Sequence, residues 1–203
     1  MDYLFNAWGG LPRILMERGE IIQTVSDDLS YAFAPKVSVM TAEQAELEQM
    51  KRYLENYAPC SVSDAVYFFR YTRAKAKRLM EQCVSTSLGM LIWKDGVVHK
   101  HTEAACDSKA TNAIFVLPGF DPLLVGHEKR ENGMIPAEHL RDIYNLQGII
   151  KPVIIHKGQC IATWTVRKDT IYIKPFQADN KAACERAEKQ IRNLTQCSEC
   201  RYE

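Results

Sequence analysis

The segment from Thr41 to His101 constrains the fold most, because its punctuation leaves one order of elements. Thr41-Ala42-Glu43-Gln44 is a capping box, in which the hydroxyl accepts a backbone N–H and the Gln side chain reaches back. Leu47, Met50, Leu54 and Tyr57 follow as one apolar stripe of a helix. Ala58-Pro59 ends it, since proline lacks a donor and disfavours helix in the residue before it. SVSDAVYFF predicts a short second helix capped by Ser61 or Ser63, and TRAKAKRLMEQC a third capped by Thr72. LGMLIWKDGVVHKH reads as strand, turn, strand, with Asp95-Gly96 as the hairpin signal.

Helix, helix, helix, hairpin is the order of a complete winged helix-turn-helix, whose third helix is the one that enters the major groove of DNA. At and just before its start stand Arg70, Arg73, Lys75, Lys77 and Arg78, five basic residues in nine with no acid among them. Such a cluster neutralises phosphates and releases counterions, although a solvated charged face has the same composition. Lys94 and Lys100 on the hairpin would follow the backbone beside it. His99 and His101 lie two apart on a strand, hence on one face, and read as a solvated wing rather than as metal ligands. Nothing in the pattern specifies a base preference.

Residues 1–40 read as a partial version of the same unit. LPRILMERGEII is a short helix stopped by Gly19, and EIIQTVSDDLSYAFAP is a strand, a turn at Ser26-Asp27-Asp28, and a strand carrying Leu29, Tyr31 and Phe33. Two stretches of helix plus hairpin make a weak internal repeat. Beyond about residue 111 the pattern changes. NAIFVLPGFDPLLVGHEKR is an apolar strand and a Pro- and Asp-containing turn, and Pro136 opens a short helix over PAEHLRDIYN. KPVIIH, QCIATWTV and TIYIKPF, joined by Lys157-Gly158 and Lys168-Asp169, predict an antiparallel meander. Asp179 would cap a last helix with Ala183, Ala187, Ile191 and Leu194 on one face. The expected fold class is α+β: a partial winged helix over 1–40, a winged-helix DNA-binding domain over 41–111, and a small antiparallel β domain with a C-terminal helix over 112–203.

Composition narrows the function classes. The 203 residues carry 26 Lys and Arg against 25 Asp and Glu, which excludes a chain basic all over but not a local basic groove. No apolar run of about 18 residues predicts a membrane span, and the N-terminus lacks the basic n-region of a secretory signal. Seven scattered cysteines then read as reduced thiols of a cytoplasmic protein. Cys197-Ser198-Glu199-Cys200 has zinc-knuckle spacing but no second pair to complete four ligands. No metal or other cofactor is expected.

Four stretches, in order, carry a family resemblance. Arg52-Tyr53-Leu54, Tyr57-Ala58-Pro59 and Asp64 form the first, and Val116-Leu117-Pro118-Gly119-Phe120-Asp121 with Arg130 the second. Gly148-Ile149-Ile150-Lys151-Pro152-Val153 with Gly158 is the third, and Ala162-Thr163-Trp164 the fourth, with Pro175-Phe176 before the last helix. Together they resemble the C-terminal part of the winged-helix family of the YcaQ/AlkZ-like crosslink-repair DNA glycosylases, of a bacterial type, over roughly residues 1–195. Ala58 and Ala162 stand where the family usually has Gly, Cys60 where it has Ala, and Thr165 where an Arg often follows the Trp. The family's catalytic Gln-x-Asp or Gln-x-Gln motif belongs to an N-terminal winged helix that precedes the matching region. Gln177-Ala178-Asp179 has the letters at the other end of the chain and reads as a helix cap.

The resemblance implies a protein that binds double-stranded DNA and is related to repair glycosylases, without its own catalytic motif; catalytic residues are therefore unknown. A partner chain would supply the N-terminal domain. The alternatives are a DNA glycosylase acting on alkylated or crosslinked bases, and a transcription regulator. A glycosylase needs a carboxylate or polarised water beside the sugar, and Asp64, Asp121 and Glu128 are the candidates. Asp64 suits a helix N-terminus. Asp121 suits a turn bonded to its own backbone, with a site-lining role as the alternative, and Arg130 would pair with it or with a phosphate. Trp8, Trp93 and Trp164 read as packing residues, with stacking on a splayed base as the alternative. Asp121, Arg130 and Trp164 are thus the site-lining candidates.

Overall fold

The computed structural model describes residues 10–25, 30–36, 38–101, 112–130 and 132–203. The Ser26-Asp27-Asp28 turn, Leu29, Trp8, Cys106 and the expected boundary at residue 111 lie outside them. The chain divides into two compact units, Met1–Ala42 and Glu43–Glu203. In the first, α1 (Leu11–Glu17) carries a proline in its opening turn and leads through Gly19, at φ +71°, into β1 (Ile21–Gln23). β1 pairs antiparallel with β2 (Tyr31–Phe33), Ile21 opposite Phe33.

The second unit opens on α2 (Ala42–Tyr57), whose Met50, Tyr53 and Leu54 are buried. Leu47 and Tyr57 complete the expected stripe against the same core. Next come β3 (Cys60–Ser61), α3 (Val62–Phe69) and α4 (Arg73–Thr86), then β4 (Leu91–Lys94) and β5 (Val97–Lys100). Asp95 and Gly96 take φ of 52° and 81°, the left-handed pair that a two-residue hairpin turn requires. The two residues of β3 pair with β5, making a three-stranded sheet in the order β3-β5-β4. Leu79, Met80 and Cys83 of α4, Val62 and Ala65 of α3, and Leu91 and Val98 of the hairpin close one core around α2.

The other half is built on a five-stranded sheet. Its members are β6 (Ile114–Leu117), β7 (Val153–His156), β8 (Gln159–Arg167), β9 (Thr170–Pro175) and β10 (Glu199–Tyr202), in the order β10-β9-β8-β7-β6. The meander is antiparallel as its short turns dictate, but β10 runs parallel to β9, so the sheet is mixed rather than antiparallel. A parallel strand needs a long crossover, and α7 (Lys181–Thr195) supplies it. Because side chains alternate along a strand, Ile154 of β7 faces α7 while its neighbours Val153 and Ile155 join a separate core with α5 (Pro122–Val125) and α6 (Leu140–Ile143).

Two expectations about the last helix are corrected. Asp179 does not cap it: a single 3₁₀ turn, Ala178–Asn180, precedes Lys181, and no side chain caps α7. Leu194 is 70% exposed, whereas Cys184 is fully buried beside Ala183, Ala187 and Ile191. Among the described residues no helix is long and apolar enough to cross a membrane, and no group of three or more His, Cys, Asp or Glu is placed to hold a metal.

Candidate nucleic-acid interface

α4 presents the basic residues because its cap and its buried face fix its roll. Thr72 Oγ1 accepts the Lys75 N–H at 3.3 Å. Ala76, Leu79, Met80 and Cys83 face inward, which turns Arg73, Lys77 and Arg78 to solvent. Arg70 precedes them as the left-handed C-cap of α3, φ 59°, and ends that helix so that α4 can start three residues on. Its guanidinium lies 4.8 Å from the centre of the Tyr67 ring, a cation–π contact. Arg73 also donates to Ser63 Oγ at 3.3 Å.

The cluster is less uniform than its sequence. Lys75 Nζ stands 2.6 Å from Glu46 Oε1 of α2 and 4.2 Å from the centre of the Tyr71 ring, so its charge is matched inside the fold. Lys77 lies 3.7 Å from Glu81 one turn along, an exposed pair of small energetic weight. On the hairpin, Lys94 is exposed, while Lys100 Nζ donates to the Glu55 carbonyl at 3.2 Å. The outward-facing set is therefore Arg70, Arg73, Lys77, Arg78, Lys94 and the tethered Lys100.

The site-lining candidates have separate structural roles. Asp121 caps α5, its Oδ1 accepting the Leu123 N–H at 2.9 Å. The Arg130 side chain is exposed, and its backbone N–H donates to Glu128 Oε2 at 2.7 Å. Trp164 Nε1 donates to the Leu117 carbonyl at 3.1 Å, bracing β8 against β6 across β7.

Asp64 is the most constrained ionisable group. It closes a reciprocal capping box with Ser61: Oδ2 accepts the Ser61 N–H and hydroxyl at 2.8 Å each, and the Asp64 N–H donates to Ser61 Oγ at 3.1 Å. Oδ1 accepts the Glu128 N–H at 2.7 Å, 64 positions along the chain, and His127 Nδ1 stands 3.8 Å from Oδ2. Burial alone would raise its pKa. The His127 ring, the N–H groups of Ser61 and Glu128 and the Ser61 hydroxyl outweigh burial and hold it at about 2. Tyr53 makes a parallel link, its hydroxyl donating to the Gly126 carbonyl at 2.7 Å. Residues 126–128 thus receive two polar anchors from the helical half. Sequence reading placed Asp64 at a helix N-terminus but left Tyr53, His127 and Gly126 unassigned. Their pairing spans more than sixty positions, which no local pattern encodes.

Two cavities flank this clamp. A groove of about 750 Å³ is walled by Tyr53, Tyr57, Phe68, Phe69 and Leu123 under Arg52. A second, of about 500 Å³, lies between Tyr57, Ser61, Asp64, Val97, His127 and Asn132.

A family model described as DNA glycosylase AlkZ-like matches residues 7–196. An interstrand DNA cross-link repair glycosylase of Streptomyces sahachiroi is 19% identical over 210 residues, which cover 97% of this chain and 57% of that protein. The solved structure of S. sahachiroi DNA glycosylase AlkZ superposes with a TM-score of 0.74 at 17% identity, covering 98% of this chain and 59% of that one. The chain spans less than two thirds of the length of these relatives, and at this identity the structural match speaks for the fold. With the match running over nearly the whole length, the chain belongs to the AlkZ-like DNA glycosylase family.

Proposed function

We propose that residues 43–101 form a winged helix that binds double-stranded DNA, with α4 as its recognition helix and the β4–β5 hairpin as its wing, and that binding rather than base excision is what this chain contributes. The outward row of Arg73, Lys77 and Arg78 on α4, with Arg70 at its head, carries the reading. Membership of a DNA glycosylase family supports it. Two of the three candidate carboxylates, Asp64 and Asp121, have structural duties. Asp64 spends both oxygens on backbone and hydroxyl donors, and Asp121 Oδ1 is committed to the α5 cap. Neither is poised to stabilise a cationic sugar.

Fluorescence anisotropy with a labelled duplex tests this. The wild-type chain should bind with an affinity that falls steeply between low and physiological salt, each phosphate contact adding about −0.9 to the slope of log K against log salt. The charge-reversed pair Arg73→Glu and Lys77→Glu should bind at least about tenfold more weakly. Equal binding by a folded charge-reversed variant would place the interface elsewhere.

Family membership also favours a second reading, excision of an alkylated or crosslinked base, alone or with a partner chain supplying a further domain. Release of free base from alkylated duplex above the buffer rate would replace the first reading with this one.

A further inference from the structure

The α7 side of the five-stranded sheet carries a contact between two basic groups. His156 closes β7, and its Nε2 lies 3.3 Å from Nη2 of Arg186 on α7. Lys157 follows in the β7–β8 turn at φ 52°. Opposite His156 across the sheet stand Ile114 of β6 and Gln159 of β8, neither of them charged. The carboxylates of α7 are directed elsewhere: Glu188 holds Arg192 at 2.9 Å and accepts the Tyr202 hydroxyl, and Glu185 stands about 100° round the helix from Arg186. Among the described residues, the charges acting on His156 are Arg186 and Lys157, both positive. Burial and these two cations hold the ring below its ordinary 6.5, and the neutral ring accepts the Arg186 N–H on Nε2.

We propose that the His156 ring, the Arg186 guanidinium and the Lys157 ammonium form a binding site for a phosphate group, which enters together with a proton on His156. Protonation turns both ring nitrogens into donors. Two positively charged donors then face each other 3.3 Å apart. An oxyanion between them accepts from both through charge-assisted hydrogen bonds and removes the repulsion. Arg186 and Lys157 are exposed, so the group reaches them from solvent. Three donors match the three oxygens of a terminal phosphate, whereas a carboxylate offers two; a backbone phosphate of nucleic acid is the other source of the same chemistry. Because an opposite charge favours the protonated ring, phosphate raises the midpoint of His156, and by reciprocity binding tightens as pH falls. The inference makes no use of α4.

NMR titration of the histidine ring signals of the full chain tests it, with sodium sulfate, sodium acetate and a short DNA duplex as probes and the ionic strength held constant with sodium chloride. Sulfate keeps its charge through this range and stands in for phosphate. Saturating sulfate should raise the His156 midpoint by about one pH unit, the equivalent of tenfold tighter binding to the protonated ring, and acetate by less than half as much. His139, paired with Asp142 at 3.0 Å, is the internal control and should not move. Arg186→Gln keeps an exposed polar side chain and deletes the charge, so the free midpoint should rise and the sulfate shift should fall by half or more. A duplex that also raises the midpoint makes backbone phosphate an occupant. The sulfate arm contains no DNA, so its failure is separate from a failure of duplex binding through α4. No shift with sulfate or duplex, an equal shift with acetate or at His139, or an undiminished sulfate shift in folded Arg186→Gln would each overturn the assignment.

Discussion

The Tyr53 hydroxyl donates to the carbonyl oxygen of Gly126 at 2.7 Å, across 73 positions of sequence, and the Tyr57 ring one turn along α2 presses on the same glycine. A Cβ at Gly126 would stand 2.2 Å from Tyr57 Cδ1, so only glycine fits there. Gly126→Ala should therefore destabilise the fold by about 2 kcal/mol or more through overpacking. Tyr53→Phe, which deletes the hydroxyl and leaves the carbonyl short of a donor, should cost about 1–2 kcal/mol. Urea denaturation with an unchanged m-value would register both.

Asp64 makes stability depend on acid. Its folded pKa of about 2 lies below its ordinary 3.8, so the folded state favours the carboxylate. Its contribution is complete above the ordinary value and is lost as pH falls through about 2, amounting to about 2 kcal/mol in all. Asp64→Asn should flatten the acid limb of a stability-against-pH curve in that window and lower stability at neutral pH. An acid limb identical to wild type would remove Asp64 from this role.

Lys75 and Lys77 stand two positions apart and should behave oppositely. Lys75→Ala removes an ion pair with Glu46 that is less than one-third exposed, so it should cost stability and leave the salt slope of duplex binding unchanged. Lys77→Ala should leave the melting temperature within a degree or so and reduce the salt slope by about 1. Melting curves and anisotropy on the same two variants decide it.

Burial protonates the thiols. It pushes Cys60 and Cys160 up to about 12 and Cys83 and Cys184 up to about 11. Since the thiolate is the nucleophile, native protein at neutral pH should leave these four unmodified by iodoacetamide, and denatured protein should lose that protection. Peptide mass spectrometry reads both states.

How far the sequence carries depends on the range of each interaction. The apolar stripe of α2, the Ser61 and Thr72 caps and the Asp95-Gly96 turn are decided within a few residues, and they stand as the local rules require. β3 has only two residues and exists because β5 pairs with it; no periodicity marks a strand so short. β10 is polar in part and depends on β9, twenty-nine positions away, for its partner. In the basic cluster, composition showed the charges, but Glu46 neutralises Lys75 from another helix. The site candidates divide in the same way. Asp121 is a turn cap that its own neighbours announce, whereas the bond from the Glu128 N–H to Asp64 joins positions 64 apart.

The clamp also has a mechanical consequence. Residues 126–128 are held from the helical side by the Tyr53 hydroxyl and the Asp64 carboxylate, and the stretch that follows is tied to β8 through the Met134 carbonyl. A load applied to α2 or α3 would reach residues 126–128 through the Tyr53 hydroxyl and the Asp64 carboxylate, while the Met134 carbonyl holds on to β8, so a few hydrogen bonds far apart in sequence would carry strain between the helical half and the sheet.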